Sequence, residues 1–158
     1  MPRFKDIIIG TQFFLFYAGF SLWLPFFNLY LKELGFSGTQ IGIIAGCFQG
    51  MLFFVVPVWG ILSDKHGNKN MLQIALLASI LLVWAFQYLH TFWAIIAFMV
   101  VLGFFHHPLG TLVDSLAIVH LAGSKRSSFG AMRVWGSIGW GIFTILMGRF
   151  LINRELGV

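Results

Sequence analysis

Two side chains of opposite charge, Asp114 and Arg133, stand inside long apolar stretches of the chain. A charge at such depth is costly, so it pairs, faces a protein interior or lines a water-filled path. His107 precedes Asp114 by seven residues. That is two helical turns, so both share one helix face about 10 Å apart. Gly103 and Gly110 lie on the same face and leave it recessed. Beyond Arg133, the residues Ser137, Trp140, Gly141 and Thr144 follow at +4, +7, +8 and +11, a single face of a second helix. A carboxylate accepts hydrogen bonds from hydroxyls, a guanidinium offers several donors in a fork, and an indole covers C–H surface. This set suits a polyol such as a sugar, or the ribose of a nucleoside. An aromatic acid would place its carboxylate on Arg133 and be repelled by Asp114. The alternative is a structural ion pair, whose attraction is largely offset by desolvation.

The segment LAGSKRSS, 121–128, is short, so the two helices are expected to run antiparallel as neighbours. Asp114 lies about two turns before it and Arg133 about one turn after it, so their depths agree within about a turn. A direct pair and a ligand bridging the two are both allowed. Pro108 has no amide hydrogen, which deprives the Phe104 carbonyl of its usual partner. His106 is therefore read mainly as a structural residue that repairs the broken ladder or bonds a neighbouring helix. An intramembrane enzyme is not expected: His-Glu-x-x-His is absent, His120 lies off the His107–Asp114 face, and no serine–histidine arrangement is evident.

The elements that hold these residues follow from composition. Of 158 residues, 59% are hydrophobic and only 9% charged. A soluble domain carries about a quarter charged residues, so these few cannot solvate a globular surface. The chain is predicted to be an all-α membrane protein with spans at 7–31, 41–62, 71–89, 92–120 and 129–152, each near the roughly 20 residues needed to cross the hydrocarbon core. The net charge of +5 is spread singly or in pairs between apolar blocks, which argues against a nucleic-acid partner. Arg3, Lys5, Lys65, Lys69, Lys125 and Arg126 fall on one side, and Lys32, Arg149 and Arg154 on the other. That bias puts the amino terminus in the cytoplasm. The apolar block after MPRFKD has no small-x-small cleavage site, so it is expected to stay as the first span. Pro25 breaks that span, and Thr39 is placed to cap the second helix. Gly42, Gly46 and Gly50, four residues apart, are expected to form a packing seam. The single cysteine, Cys47, allows no internal disulfide and no cysteine-based metal site.

Between spans two and three, residues 60–70 read GILSDKHGNKN. Gly67 permits a positive backbone dihedral at a tight turn. The pattern Gly-x-Leu-x-Asp-Lys-x-Gly-x-Lys at 60–69 resembles the loop signature of the major facilitator superfamily. The resemblance implies a cytoplasmic conformational latch made of Gly60, Asp64, Lys65, Gly67 and Lys69, with Asn68 and Asn70 standing where the family usually has basic residues. The segment SSFGAMRVWGSIGWGIF, 127–143, is similar to the fifth helix of the lactose permease-like, nucleoside- and phenylpropionate-type proton symporters of that superfamily. LPFFNLYLKE, 24–33, resembles the end of their first helix.

By position, the resemblance implies that Asp114 and Arg133 contact the solute and Trp140 stacks on it. His107, Gly110 and Ser137 would line the cavity, with Phe20 and Ser21 near it. The implied fold is the amino-terminal half-bundle of a major facilitator transporter in the cell membrane. The implied activity is proton-coupled transport of a sugar-like or related small organic solute, without a cofactor. Such transporters have about twelve spans in two halves with the site between them. Five spans are therefore expected to be an amino-terminal portion that lacks its carboxyl-terminal partner half and does not transport alone. A free-standing half-size protein that oligomerises, and a nucleoside or aromatic acid permease fragment, remain the alternatives.

Overall fold

Apolar runs with no polar face can satisfy their backbone groups in lipid only by coiling into helices. A computed structural model describes residues 4–121 and 128–156, with side chains from 6–121 and 128–153. Arg3, Lys125 and Arg126 and the segment 122–127 lie outside the described residues, as do the side chains of Lys5 and Arg154. The described residues form helices α1 (Phe4–Ser21), α2 (Phe27–Glu33), α3 (Gly38–His66), α4 (Asn68–Ala85), α5 (Phe92–His106), α6 (Pro108–Leu121) and α7 (Phe129–Leu156). Five stretches are long and apolar enough to cross a bilayer: Asp6–Glu33, Gly38–His66, Asn68–Tyr88, Phe92–Leu121 and Phe129–Asn153. Phe53, Phe54, Ile61 and Trp93 are each at least 70% exposed, a surface that only lipid or a partner helix could cover. The chain is an all-α, multi-pass membrane protein.

Pro25 breaks the first span as its lost amide requires. A short 3-10 turn at Leu24–Phe26 separates α1 from α2. At the second span one expectation gives way. Ser37, not Thr39, caps α3: the Gln40 amide donates to Ser37 Oγ at 3.3 Å, and the Ser37 amide donates back to Gln40 Oε1 at 2.9 Å. This reciprocal box satisfies two orphan donors at once, whereas Thr39 falls inside the helix. Within residues 60–70 the tight turn falls on Gly67 alone. α3 runs to His66 and α4 starts at Asn68, so only Gly67 stands between them. Gly67 has φ 87° and ψ 133°, and its amide donates to the Ser63 carbonyl at 2.8 Å, ending α3. The reversal is that tight because glycine alone enters this region without strain.

The helices group into two units, one of residues 1–29 with 117–158 and one of residues 30–116. In the second, α5 lies close against α3. A Cβ added at Gly103 would sit 3.0 Å from Met51 Cβ and 3.3 Å from the Phe48 carbonyl oxygen. Trp59 of α3 meets Phe104 and Phe105 edge-on at 5.8 and 6.0 Å. From α4, Met71, Leu72, Ala75 and Ser79 are buried, one stripe at helical spacing.

In the first unit, α1 packs on α7 through glycines. A Cβ at Gly139 would strike the backbone of Phe14, and one at Gly136 would strike the Tyr17 ring. Phe14 and Phe143 then meet edge-on at 6.1 Å, and Phe13 meets Phe129 at 6.0 Å. The close seam is therefore at Gly136 and Gly139. Gly42, Gly46 and Gly50 have no described atom within 4 Å of a built Cβ, so the seam expected there is not formed among the described residues.

Candidate solute site

Close approach of α1 to α7 brings Tyr17 beside the polar face of α7. Tyr17, Arg133, Ser137 and Trp140 line a cleft of about 400 Å³. Arg133, Ser137 and Trp140 share the cleft because +4 and +7 offsets return to one helix face. Tyr17 joins them because Gly136 has no side chain to hold its ring away. The Arg133 guanidinium carbon lies 5.9 Å from the centroid of the Phe129 ring one turn earlier, a cation–π distance that steadies the arginine. The cleft thus offers one guanidinium, two hydroxyls and two aromatic rings. Such a set can anchor an anionic or hydroxyl-bearing head and cover a ring.

The other residues expected around the site are placed differently. Ser21 is fully buried, and its hydroxyl donates to the Ala18 carbonyl of its own helix at 2.8 Å. Phe20 is half-buried and packs on Phe16 at 4.6 Å. Neither lines the cleft. His107 belongs to the unit of residues 30–116, where its Nε2 lies 2.6 Å from the Phe48 carbonyl oxygen of α3. Its ring is 4.5 Å from the Phe48 ring, so this imidazole ties α3 to the end of α5. His106 is buried beside the same phenylalanine at 5.7 Å. Backbone angles at His107 stay helical, φ −61° and ψ −37°. The stripe of His107, Gly110 and Asp114 therefore carries through Pro108 into α6. Gly110 opens onto space with no described atom within 4 Å of a built Cβ, and Asp114 is half-buried.

Asp64, Lys65 and Lys69 are exposed at the α3–α4 reversal. The Ser63 hydroxyl donates to the Gly60 carbonyl at 2.8 Å, and the Asn70 side chain caps the His66 carbonyl at 3.2 Å. Asn68 reaches further: its Nδ2 donates to Ser115 Oγ of α6 at 2.5 Å.

Tyr17 was not among the residues singled out for the site. Its polar ring in an apolar span was visible, but its relation to Arg133 depends on which faces of α1 and α7 meet. Gly136, opposite Tyr17, was the available signal.

Five apolar spans and a polar, arginine-bearing cleft between two of them define a multi-pass membrane protein with a candidate solute site. The comparisons make this specific. The chain belongs to the MFS_1 like family, whose profile matches residues 7–157. It is 27% identical over 140 residues to an uncharacterized transporter of Bacillus subtilis, covering 87% of this chain and 35% of that protein. It is 29% identical over 144 residues to the multi-drug resistance efflux pump PmrA homolog of Lactococcus lactis, covering 89% and 33%. With the "Probable 3-phenylpropionic acid transporter" of Escherichia coli it shares 27% over 151 residues, covering 90% and 38%. The chain thus spans about a third of the length of these relatives. No solved structure matches it.

Proposed function

We propose that the chain supplies the amino-terminal part of the solute path of a proton-coupled secondary transporter, and that the Arg133 cleft binds a small organic solute. The observation that carries this reading is the convergence of Tyr17, Arg133, Ser137 and Trp140 on one cleft inside otherwise apolar spans. Arg133 takes the solute's polar head in a fork of donors, Tyr17 and Ser137 add hydroxyls, and Trp140 covers its ring. The described lining residues include a guanidinium, which suits an anionic head such as that of an aromatic monocarboxylate. The name of the Escherichia coli relative is of that chemical class. A sugar-like solute is the second reading, favoured by Asp114 on the recessed α6 stripe, whose carboxylate suits hydroxyl donors.

On this reading the reversal at Gly67, with Gly60, Asp64, Lys65 and Lys69, acts as a cytoplasmic latch in the cell membrane. His107 and Gly110 are read, from the resemblance alone, as further lining residues. The relatives are transporters, and the chain is read as a carrier rather than an enzyme. The test is equilibrium binding of radiolabelled 3-phenylpropionate to the chain in lipid nanodiscs, competed by aryl acids and by galactosides. Competition by aryl acids alone supports the first reading, and competition by galactosides alone supports the second. Binding that persists unchanged in Arg133→Gln overturns the site.

A further inference from the structure

We infer that Asn68 is a positioning residue for the helix that carries Asp114, acting through its hydrogen bond to Ser115. The inference rests on the reading of Asp114 as a wall of the solute path. Asn68 is the first residue of α4 and follows Gly67, whose φ of 87° fixes the direction in which α4 leaves α3. Its side-chain amide spans 47 residues of sequence to donate to Ser115 Oγ at 2.5 Å, and Ser115 is the residue next to Asp114 on α6.

Three features make this bond more than local decoration. It joins the rim of the proposed latch to the helix with the candidate acid, so a movement of the reversal is transmitted to α6. It joins the side chains of two different helices, whereas the Ser21 and Ser63 hydroxyls bond the backbone of their own helix. It is also neutral on both partners, because asparagine stands where the resemblance has a basic residue. A neutral side-chain bond is modest enough to break and re-form as a transporter changes state, and salt does not screen it as it screens an ionic latch. Its energy range corresponds to a population shift of about two- to tenfold when the bond is lost.

The test reads the position of residue 114 without any solute. In the chain carrying Cys47→Ser and Asp114→Cys, reconstituted in nanodiscs, the rate of labelling by a charged, membrane-impermeant thiol reagent is measured. Asn68→Ala, the near-isosteric Asn68→Leu, which can neither donate nor accept, Ser115→Ala and the Asn68→Ala/Ser115→Ala pair are each added. The expected result is an about two- to tenfold change in rate for each single variant, no further change in the pair, and a parent-like rate for Ser115→Thr. Unchanged rates in Asn68→Leu and Ser115→Ala overturn the inference, as do changes that add in the pair. Binding of 3-phenylpropionate to the chain with Asp114 intact separates the two claims. A rate shift without binding sinks the solute reading alone, while binding without a rate shift sinks the positioning role alone.

Discussion

Gly139 tests how α1 and α7 are held together, and through them the cleft. A Cβ placed there lies 3.1 Å from the Phe14 carbonyl carbon and 3.2 Å from its Cα, and closer still to its carbonyl oxygen. Carbon–carbon contacts below about 3.5 Å are repulsive. These neighbours are backbone, so no rotamer change relieves the clash and the two helices must part by several tenths of an ångström or more. Overpacking of this kind costs about 1–3 kcal/mol. Gly139→Ala is therefore expected to destabilise the chain by that amount, despite alanine's better helix propensity. Gly46→Ala is the control, because its added Cβ meets no described atom within 4 Å. It is expected to be neutral or to stabilise by up to about 1 kcal/mol. Reversible unfolding in mixed micelles titrated with SDS measures both. A Gly139→Ala variant as stable as Gly46→Ala would refute the packing argument.

Four further outcomes follow from the same geometry. Gly136→Ala presses on the Tyr17 ring rather than on backbone, so the ring swings and solute affinity in nanodiscs falls more than stability does. Ser37→Ala removes half of a capping box and costs about 1 kcal/mol in SDS titration, whereas Thr39→Ala, inside α3, costs less than about 0.5 kcal/mol. Gly67→Ala forces a side chain into φ 87° and costs at least about 1 kcal/mol, while Gly60→Ala, which has open space around it, does not. His107→Ala loses the bond to the Phe48 carbonyl and destabilises by about 0.5–1.5 kcal/mol in the same titration, while solute binding to the Arg133 cleft persists.

What could be read from the chain alone was mostly local. Pro25 and Gly67 each act through one dihedral or one missing hydrogen, so the break in the first span and the sharp reversal were both visible. The grouping of Arg133, Ser137 and Trp140 needed only the pitch of a helix. The failures are pairings. Gly42, Gly46 and Gly50 have regular spacing, yet spacing cannot say which face meets a neighbour, and the close seam is at Gly136 and Gly139 instead. Tyr17 entered the cleft by that same pairing. Ser21 is near the cavity by resemblance alone, and spacing does not show that its hydroxyl bonds its own helix backbone. His107 stood open between a structural and a cavity-lining reading, and α3 passes close enough at Gly103 for its imidazole to reach the Phe48 carbonyl. Ser37 and Thr39 are both reasonable caps, and only the reciprocal reach of Gln40 chooses between them.

The central claim is that Arg133 holds the solute's polar head in a cleft shared with Tyr17, Ser137 and Trp140. The most direct measurement is equilibrium binding of 3-phenylpropionate to the parent chain and to Arg133→Gln and Arg133→Lys in nanodiscs. Hydrogen bonds to a charged group contribute about 1.5–3 kcal/mol, so Arg133→Gln should weaken binding by at least about tenfold. Arg133→Lys, which keeps the charge but loses the fork, should fall between the two. Equal affinity in all three chains would contradict the account.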